Sequence, residues 1–387
     1  MLVLLLAVFA VAPLTYPGFF QAHSAFLPSL NVEHLSDAPN WGRVADLSRG
    51  EGKLPYLLVW PFFRLSGSGV VAVKWGYGLA FLLGALGVYA WTRPWLGARA
   101  AVLASIVYTY LPWHLSTVYV RGAYAEAWLW ALWPFVLWAI DRLLEGQFLA
   151  AALIGLSAVV AALVTQSGLF ALSVPLLAAY GVVVDVRKPW PIWRLVGALA
   201  LPVLLLWFAA RTASEAPSAF VDHFLHPFQF LSASWGDGLS FQLGLAGVGL
   251  SIVGVALWMG KRPAEPAGRE AIKGSPSQLA LPTGRALGFW AIVLLLLVFF
   301  TLPASAFSWA VSGFDALLTY PWQLLALTGL PLAFLAGSVV RLDRRLATLP
   351  AWAGLIAFVV LASYAYLAPD FTQVDPGPEP IAMFQAS

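Results

Sequence analysis

Two opposite charges, Arg121 and Glu126, stand within a mostly apolar stretch: Tyr119-Val120-Arg121-Gly122-Ala123-Tyr124-Ala125-Glu126. A charge at the centre of a membrane helix costs about 2.5–3.5 kcal/mol on insertion scales, so such residues are rare and often functional. In one reading Arg121 binds an anionic headgroup or a lipid phosphate and Glu126 holds a partner. In the other Arg121 reaches to the interface and Glu126 forms a structural ion pair with a neighbouring helix. The spacing of five is not the i,i+4 arrangement, so a simple pair within one helix is not expected. A second group is His23, Ser24, Glu33, His34, Asp37, Arg43 and Asp46. Asp37 or Asp46 could act as a base near an acceptor hydroxyl. A metal would need several convergent ligands, and these spacings match no such motif. The plain alternative is a solvated loop over the helices.

Asp222-His223-Phe224-Leu225-His226 sets two imidazoles three residues apart. His223 and His226 are weak candidates for a metal or haem. They lack a metalloprotease pattern, and a pair at a membrane surface is the simpler reading. Asp315 and Thr319-Tyr320-Pro321-Trp322-Gln323 mark a helix start, with proline suited to the first turn. The chain has no P-loop, no GxGxxG after a strand, no CxxCH and no HExxH. It has no cysteine, which excludes disulfides and thiolate-held metals or clusters. No cofactor is expected.

The elements that position these residues follow from composition. The 387 residues are 61% hydrophobic and 10% charged, against about 25% charged in a soluble domain. Mean hydropathy is +0.82. A soluble enzyme, a disordered chain and a nucleic-acid-binding domain are excluded as the main reading; the net charge is only +3, with scattered basic residues. About 20 apolar residues cross a bilayer core. Eleven candidate cores run near 2–14, 70–91, 98–111, 123–140, 148–164, 168–184, 195–210, 241–260, 286–302, 322–340 and 352–367. The first is read as a retained helix, because Pro13 after Ala10-Val11-Ala12 disfavours cleavage. With the N-terminus inside, fourteen of the 21 Lys and Arg fall on inner loops and twelve of the 18 Asp and Glu on outer ones. The positive-inside rule therefore gives N-in, C-out. Helix interiors nearly free of carboxylates argue against an ion-coupled transporter.

The chain reads as a single transmembrane domain, 1–387, all-α and polytopic. Residues 15–69 form a long external loop whose run Leu54–Phe63 is too short to span and is expected to be interfacial or re-entrant. Residues 211–240 form a second external loop, 261–285 a cytoplasmic linker rich in Pro, Gly and Ser, and 369–387 an external acidic tail.

Several stretches, in order, carry a resemblance. They are Pro17-Gly18-Phe19-Phe20 with Ala22-His23, Ala72-Val73-Lys74, Tyr108-Thr109-Tyr110-Leu111-Pro112-Trp113, Tyr119-Val120-Arg121-Gly122-Ala123 with Ala125-Glu126, Trp133-Pro134, and Tyr320-Pro321-Trp322-Gln323-Leu324-Leu325. In these the chain resembles the GT-C glycosyltransferase-like bacterial polytopic proteins labelled 6-pyruvoyl-tetrahydropterin synthase-related. The resemblance implies a GT-C-like helical bundle with its active side outward, a lipid-linked sugar donor and an acidic residue in the first external loop central to catalysis. The chain departs from the family where such an enzyme works. The family-like His-Asp reads His23-Ser24, the His-x-x-Arg has Asn40 before Arg43, and the Arg after Pro-Trp is Gln323.

Two functions are therefore weighed. The first is a non-catalytic GT-C-like scaffold, an accessory subunit of a larger membrane complex, with an energy-transducing electron-transfer complex as one host. Its 19 Trp and 25 Phe suit lipid and subunit contacts. The alternative is a membrane glycosyltransferase using a polyprenyl-phosphate sugar, with Asp37 or Asp46 as base and Arg121 near the phosphate. Expected partners are membrane lipids and other membrane subunits, not nucleic acid.

Overall fold

In a computed structural model of the chain, residues 1–20, 22, 26–35, 54–165, 167–184, 220–232, 240–260, 280–318 and 320–372 are described. They are helical almost throughout. The exception is a two-residue antiparallel pairing of β1 (Phe19–Phe20) with β2 (Phe371–Thr372). This pairing brings the segment after the first helix and the start of the acidic tail to one end of the bundle.

The helices are α1 (Leu2–Val11), α2 (Leu27–His34), α3 (Leu54–Ser66), α4 (Gly69–Leu96), α5 (Ala98–Thr109), α6 (Pro112–Tyr119), α7 (Tyr124–Leu144), α8 (Leu156–Thr165), α9 (Ser167–Val184), α10 (Leu245–Gly260), α11 (Ala280–Thr301), α12 (Ala306–Ser312), α13 (Leu325–Leu342) and α14 (Leu349–Ala362), with short 3-10 and π turns between some of them. Among the described residues, four stretches are long and apolar enough to cross a membrane: Gly69–Leu96, Tyr124–Leu144, Thr283–Thr301 and Pro321–Leu342. Six other apolar helices have 10–17 residues, among them Leu2–Thr15 and Ala98–Thr109. Proline limits two of these. Pro13 is the second residue of the 3-10 turn Ala12–Thr15 that ends the first, and Pro112 forces Leu111 out of the helical region, closing α5. The expected core at 195–210 lies outside the described residues, as do 261–279 of the expected linker. Within the expected loop 15–69, α2 and α3 are helical, and the run expected at the interface forms α3. Leu58, Trp60 and Leu65 of α3 are exposed while Tyr56 and Val59 are buried.

Small residues let the long helices approach closely, as packing between apolar helices in lipid requires. On α4, Gly76, Gly84 and Gly87 share one face. They receive Tyr124, Trp130 and Phe135 of α7 in that order, so α4 and α7 run parallel. A methyl on Gly84 would sit 2.8 Å from the Trp130 ring, and one on Gly76 would overlap the Tyr124 hydroxyl. α13 is the central helix. Nearly all of it is buried, consistent with a sequence apolar on every side. Gly337 of α13 meets Ala104 of α5, and Gly254 of α10 meets the Leu335 carbonyl of α13.

Candidate functional site

The Arg121–Glu126 string folds as the turn between two helices. α6 ends with Gly122 at φ 65°, a left-handed conformation that glycine adopts without strain. The N–H of Ala123 returns six residues to the Thr117 carbonyl at 3.0 Å, and the N–H of Arg121 reaches the Ser116 carbonyl at 2.9 Å. This is the glycine-terminated helix end that satisfies otherwise orphaned carbonyls. α7 then starts at Tyr124, which places Glu126 in its first turn, where a carboxylate is favoured by the helix dipole. Arg121 therefore lies three residues ahead of α7. The reversal of the chain brings the two charges together.

Arg121 Nη1 meets Glu126 Oε2 at 2.7 Å. The other oxygen, Oε1, accepts hydrogen bonds from Trp113 Nε1 at 3.1 Å and Thr117 Oγ1 at 3.3 Å. The Arg121 guanidinium lies 5.0 Å from the Trp113 ring centre and 4.7 Å from that of Trp322, a cation–π arrangement on both. The side chains of Arg121 and Glu126 are 11% and 2% exposed. Phe241 stacks on Trp113, Tyr320 stacks on Trp322 at 4.9 Å, and His223 meets Tyr320 edge-on at 4.5 Å. Three separate segments that carried the family resemblance thus converge here: Trp113, the Arg121–Glu126 string and Trp322. The sequence expectation of Glu126 paired to a neighbouring helix is corrected, since its cation is Arg121 from the preceding turn.

The remaining candidates lie elsewhere. Asp37 and Asp46 fall outside the described residues, as do His23, Ser24, Asn40 and Arg43. His226 is exposed beside Phe228, and its N–H donates to Gln229 Oε1 at 2.6 Å. His223 and His226 each face a separate aromatic ring, and no group of three or more potential metal ligands occurs among the described residues. The Oε1 of Gln323 accepts the Tyr320 N–H at 3.1 Å, so this side chain is spent on its own turn. His114 is fully buried, with Nδ1 2.6 Å from the Tyr108 carbonyl oxygen and its ring stacked on Trp130. Burial pushes its imidazole well below the ordinary histidine range, and the Tyr108 carbonyl opposes that in part.

Sequence reasoning missed one buried charge. Asp141 of α7 is 4% exposed. Trp95 Nε1 donates to one of its oxygens at 2.8 Å, Tyr180 donates to the other at 2.9 Å, and Trp91 Nε1 donates to the Tyr180 oxygen at 2.8 Å. The network ties α4, α7 and α9. Asp141 adjoins Arg142 at the end of an apolar run, and this placed it in a loop when read from sequence.

No family model and no curated protein matches the chain. A solved structure does match: the cryo-EM structure of the arabinofuranosyltransferase AftD from mycobacteria, with a TM-score of 0.53 and 15% identity. The alignment covers 100% of this chain and 28% of that one. At that identity the likeness is one of fold. The fold is GT-C glycosyltransferase-like. This chain spans less than a third of the neighbour's length.

Proposed function

We propose that this chain is a non-catalytic GT-C-like membrane scaffold, an eleven-span N-in/C-out accessory subunit of a larger complex in a bacterial cytoplasmic membrane. One observation carries the reading. The Arg121–Glu126 pair is closed on itself. Its charges cancel, both carboxylate oxygens are taken by Arg121, Trp113 and Thr117, and two indoles cover the guanidinium. A donor phosphate arriving there would have to displace Glu126 and leave a buried carboxylate without its cation, at a cost of several kcal/mol, on the order of 3–5. The turn that carries Gln323 offers no fixed cation in compensation. The aromatic tier His223–Tyr320–Trp322–Trp113–Phe241 then supports a rigid, mostly apolar end of the bundle against which lipid or a partner subunit packs.

The second reading, a polyprenyl-phosphate-sugar-dependent glycosyltransferase, is favoured by the likeness to AftD and by the two carboxylates Asp37 and Asp46. A transfer assay separates the two. Purified chain is incubated with a polyprenyl-phosphate sugar in mild detergent. The scaffold reading expects no transfer, and unchanged folded yield in Asp37→Asn and Asp46→Asn. Transfer that is lost in either variant would overturn it and make that residue the base.

A further inference from the structure

α7 carries a second cationic feature at its far end, 16 residues beyond Glu126 and so about 24 Å along the helix. An open pocket of about 440 Å³ lies there, lined by Tyr89, Ala90, Arg93 and Pro94 of α4 and Trp138 and Arg142 of α7. The two helices present the same device. Each sets an aromatic ring four residues before an arginine, and the guanidinium lies 5.8 Å from the ring centre, Arg93 over Tyr89 and Arg142 over Trp138. Stacking fixes the plane of a guanidinium while its edge donors stay available, which suits a planar fork for phosphate oxygens. Arg93 is exposed and pairs with no carboxylate among the described residues. Arg142 gives Nη1 to Glu145 at 2.7 Å, yet its Nε is buried without a partner and its side chain is only 15% exposed. The other nearby carboxylate, Asp141, has both oxygens engaged by Trp95 and Tyr180. The pocket wall between the arginines is apolar or aromatic. The same end holds Arg99, whose Nη1 donates to the Ala347 carbonyl at 2.6 Å in the loop after α13.

We propose that this pocket binds the phosphodiester headgroup of an anionic glycerophospholipid. Arg93 and Arg142 contact the phosphate, and the acyl chains run along the outer surface past Ala90 and Pro94. Basic pockets between membrane helices on the positive side are where anionic headgroups gather. The assignment is independent of the scaffold reading, because it concerns the opposite end of the molecule.

Native mass spectrometry of the purified chain, titrated with phosphatidylglycerol, phosphatidylcholine or inorganic phosphate alone, tests it. Phosphatidylglycerol should bind in preference to phosphatidylcholine. Arg93→Gln should weaken phosphatidylglycerol by about fivefold, and the Arg93→Gln/Arg142→Gln pair should remove the preference. Inorganic phosphate at millimolar concentration should neither compete nor bind measurably. An unchanged preference in the double variant overturns the proposal. So does phosphate binding that the double variant abolishes while lipid binding stays, which would assign the arginines to a soluble anion. If the double variant fails to fold, Arg93→Gln alone decides, since its side chain is exposed and meets no carboxylate among the described residues; full retention of phosphatidylglycerol affinity there overturns the proposal.

Discussion

Arg121 and Glu126 illustrate how a spacing that suits no helix can still make an ion pair. Gly122 reverses the chain, so residues five apart meet across a turn at 2.7 Å. If the pair is a structural clamp, Arg121→Met or Glu126→Gln alone should lower stability by about 3–5 kcal/mol, because each leaves a buried charge unpaired. The double substitution should cost less than the sum of the two single losses, with a coupling of about 1–3 kcal/mol in thermal or denaturant unfolding in detergent. Additive losses would mean that the two side chains act separately. The types and positions of these residues were legible in the sequence, and so was Trp322. Their pairing was not, since it depends on the φ of one glycine. Asp141 was hidden for a different reason. Its two hydrogen-bond donors, Trp95 and Tyr180, and Trp91, which donates to Tyr180 in turn, come from helices distant in the chain. His114 adds a pH-dependent contribution. Its folded-state pKa lies below the ordinary value near 6.5, so its neutral form is stabilising above that pH. That contribution is lost as the pH falls through and below 6.5, where the unfolded chain takes up the proton first. Unfolding followed between pH 7 and about 5 should show stability falling with acidity, and His114→Asn should make the dependence shallower.

At the scale of elements, glycine decides which helices may touch. On α10, Gly254 faces α13, and a methyl there would lie 2.5 Å from the Leu335 carbonyl oxygen. Gly249 on the same helix has nothing within 4 Å. Gly254→Ala should therefore destabilise by about 1–3 kcal/mol through overpacking. Gly249→Ala should be neutral or stabilise by up to about 1 kcal/mol, because alanine loses less freedom in a helix. Equal effects in a melting experiment would refute the packing of α10 on α13. Hydropathy located the apolar helices because burial in protein and burial in lipid select the same side chains. It could not set their lengths. Pro13 and Pro112 cut two of them short. The run at α3 was too short to span, and its alternation of buried Tyr56 and Val59 with exposed Leu58 and Trp60 agrees with a helix lying against the bundle.

Across the whole molecule, the two ends of α4 and α7 differ in chemistry. One end holds the closed Arg121–Glu126 clamp, the β1–β2 pairing and Lys74, whose Nζ donates to the Tyr16 carbonyl at 2.6 Å. The other holds Arg93, Arg99 and Arg142, with an open pocket between two of them. The parallel run of α4 and α7 carries Arg93 and Arg142 to one end. The helical GT-C-like fold was legible through short motifs that turn out to be contact points: Trp113, Arg121, Glu126 and Trp322. Whether the fold retains catalysis depended on Asp37 and Asp46, which no spacing marks. The role proposed for this chain is that of a subunit rather than an enzyme. The most direct test is to extract it from its native membrane in mild detergent and identify, by native gel and mass spectrometry, what travels with it at fixed stoichiometry. A stable assembly with other membrane subunits is the expected result. A protein that travels alone and carries a polyprenyl lipid would overturn the subunit role.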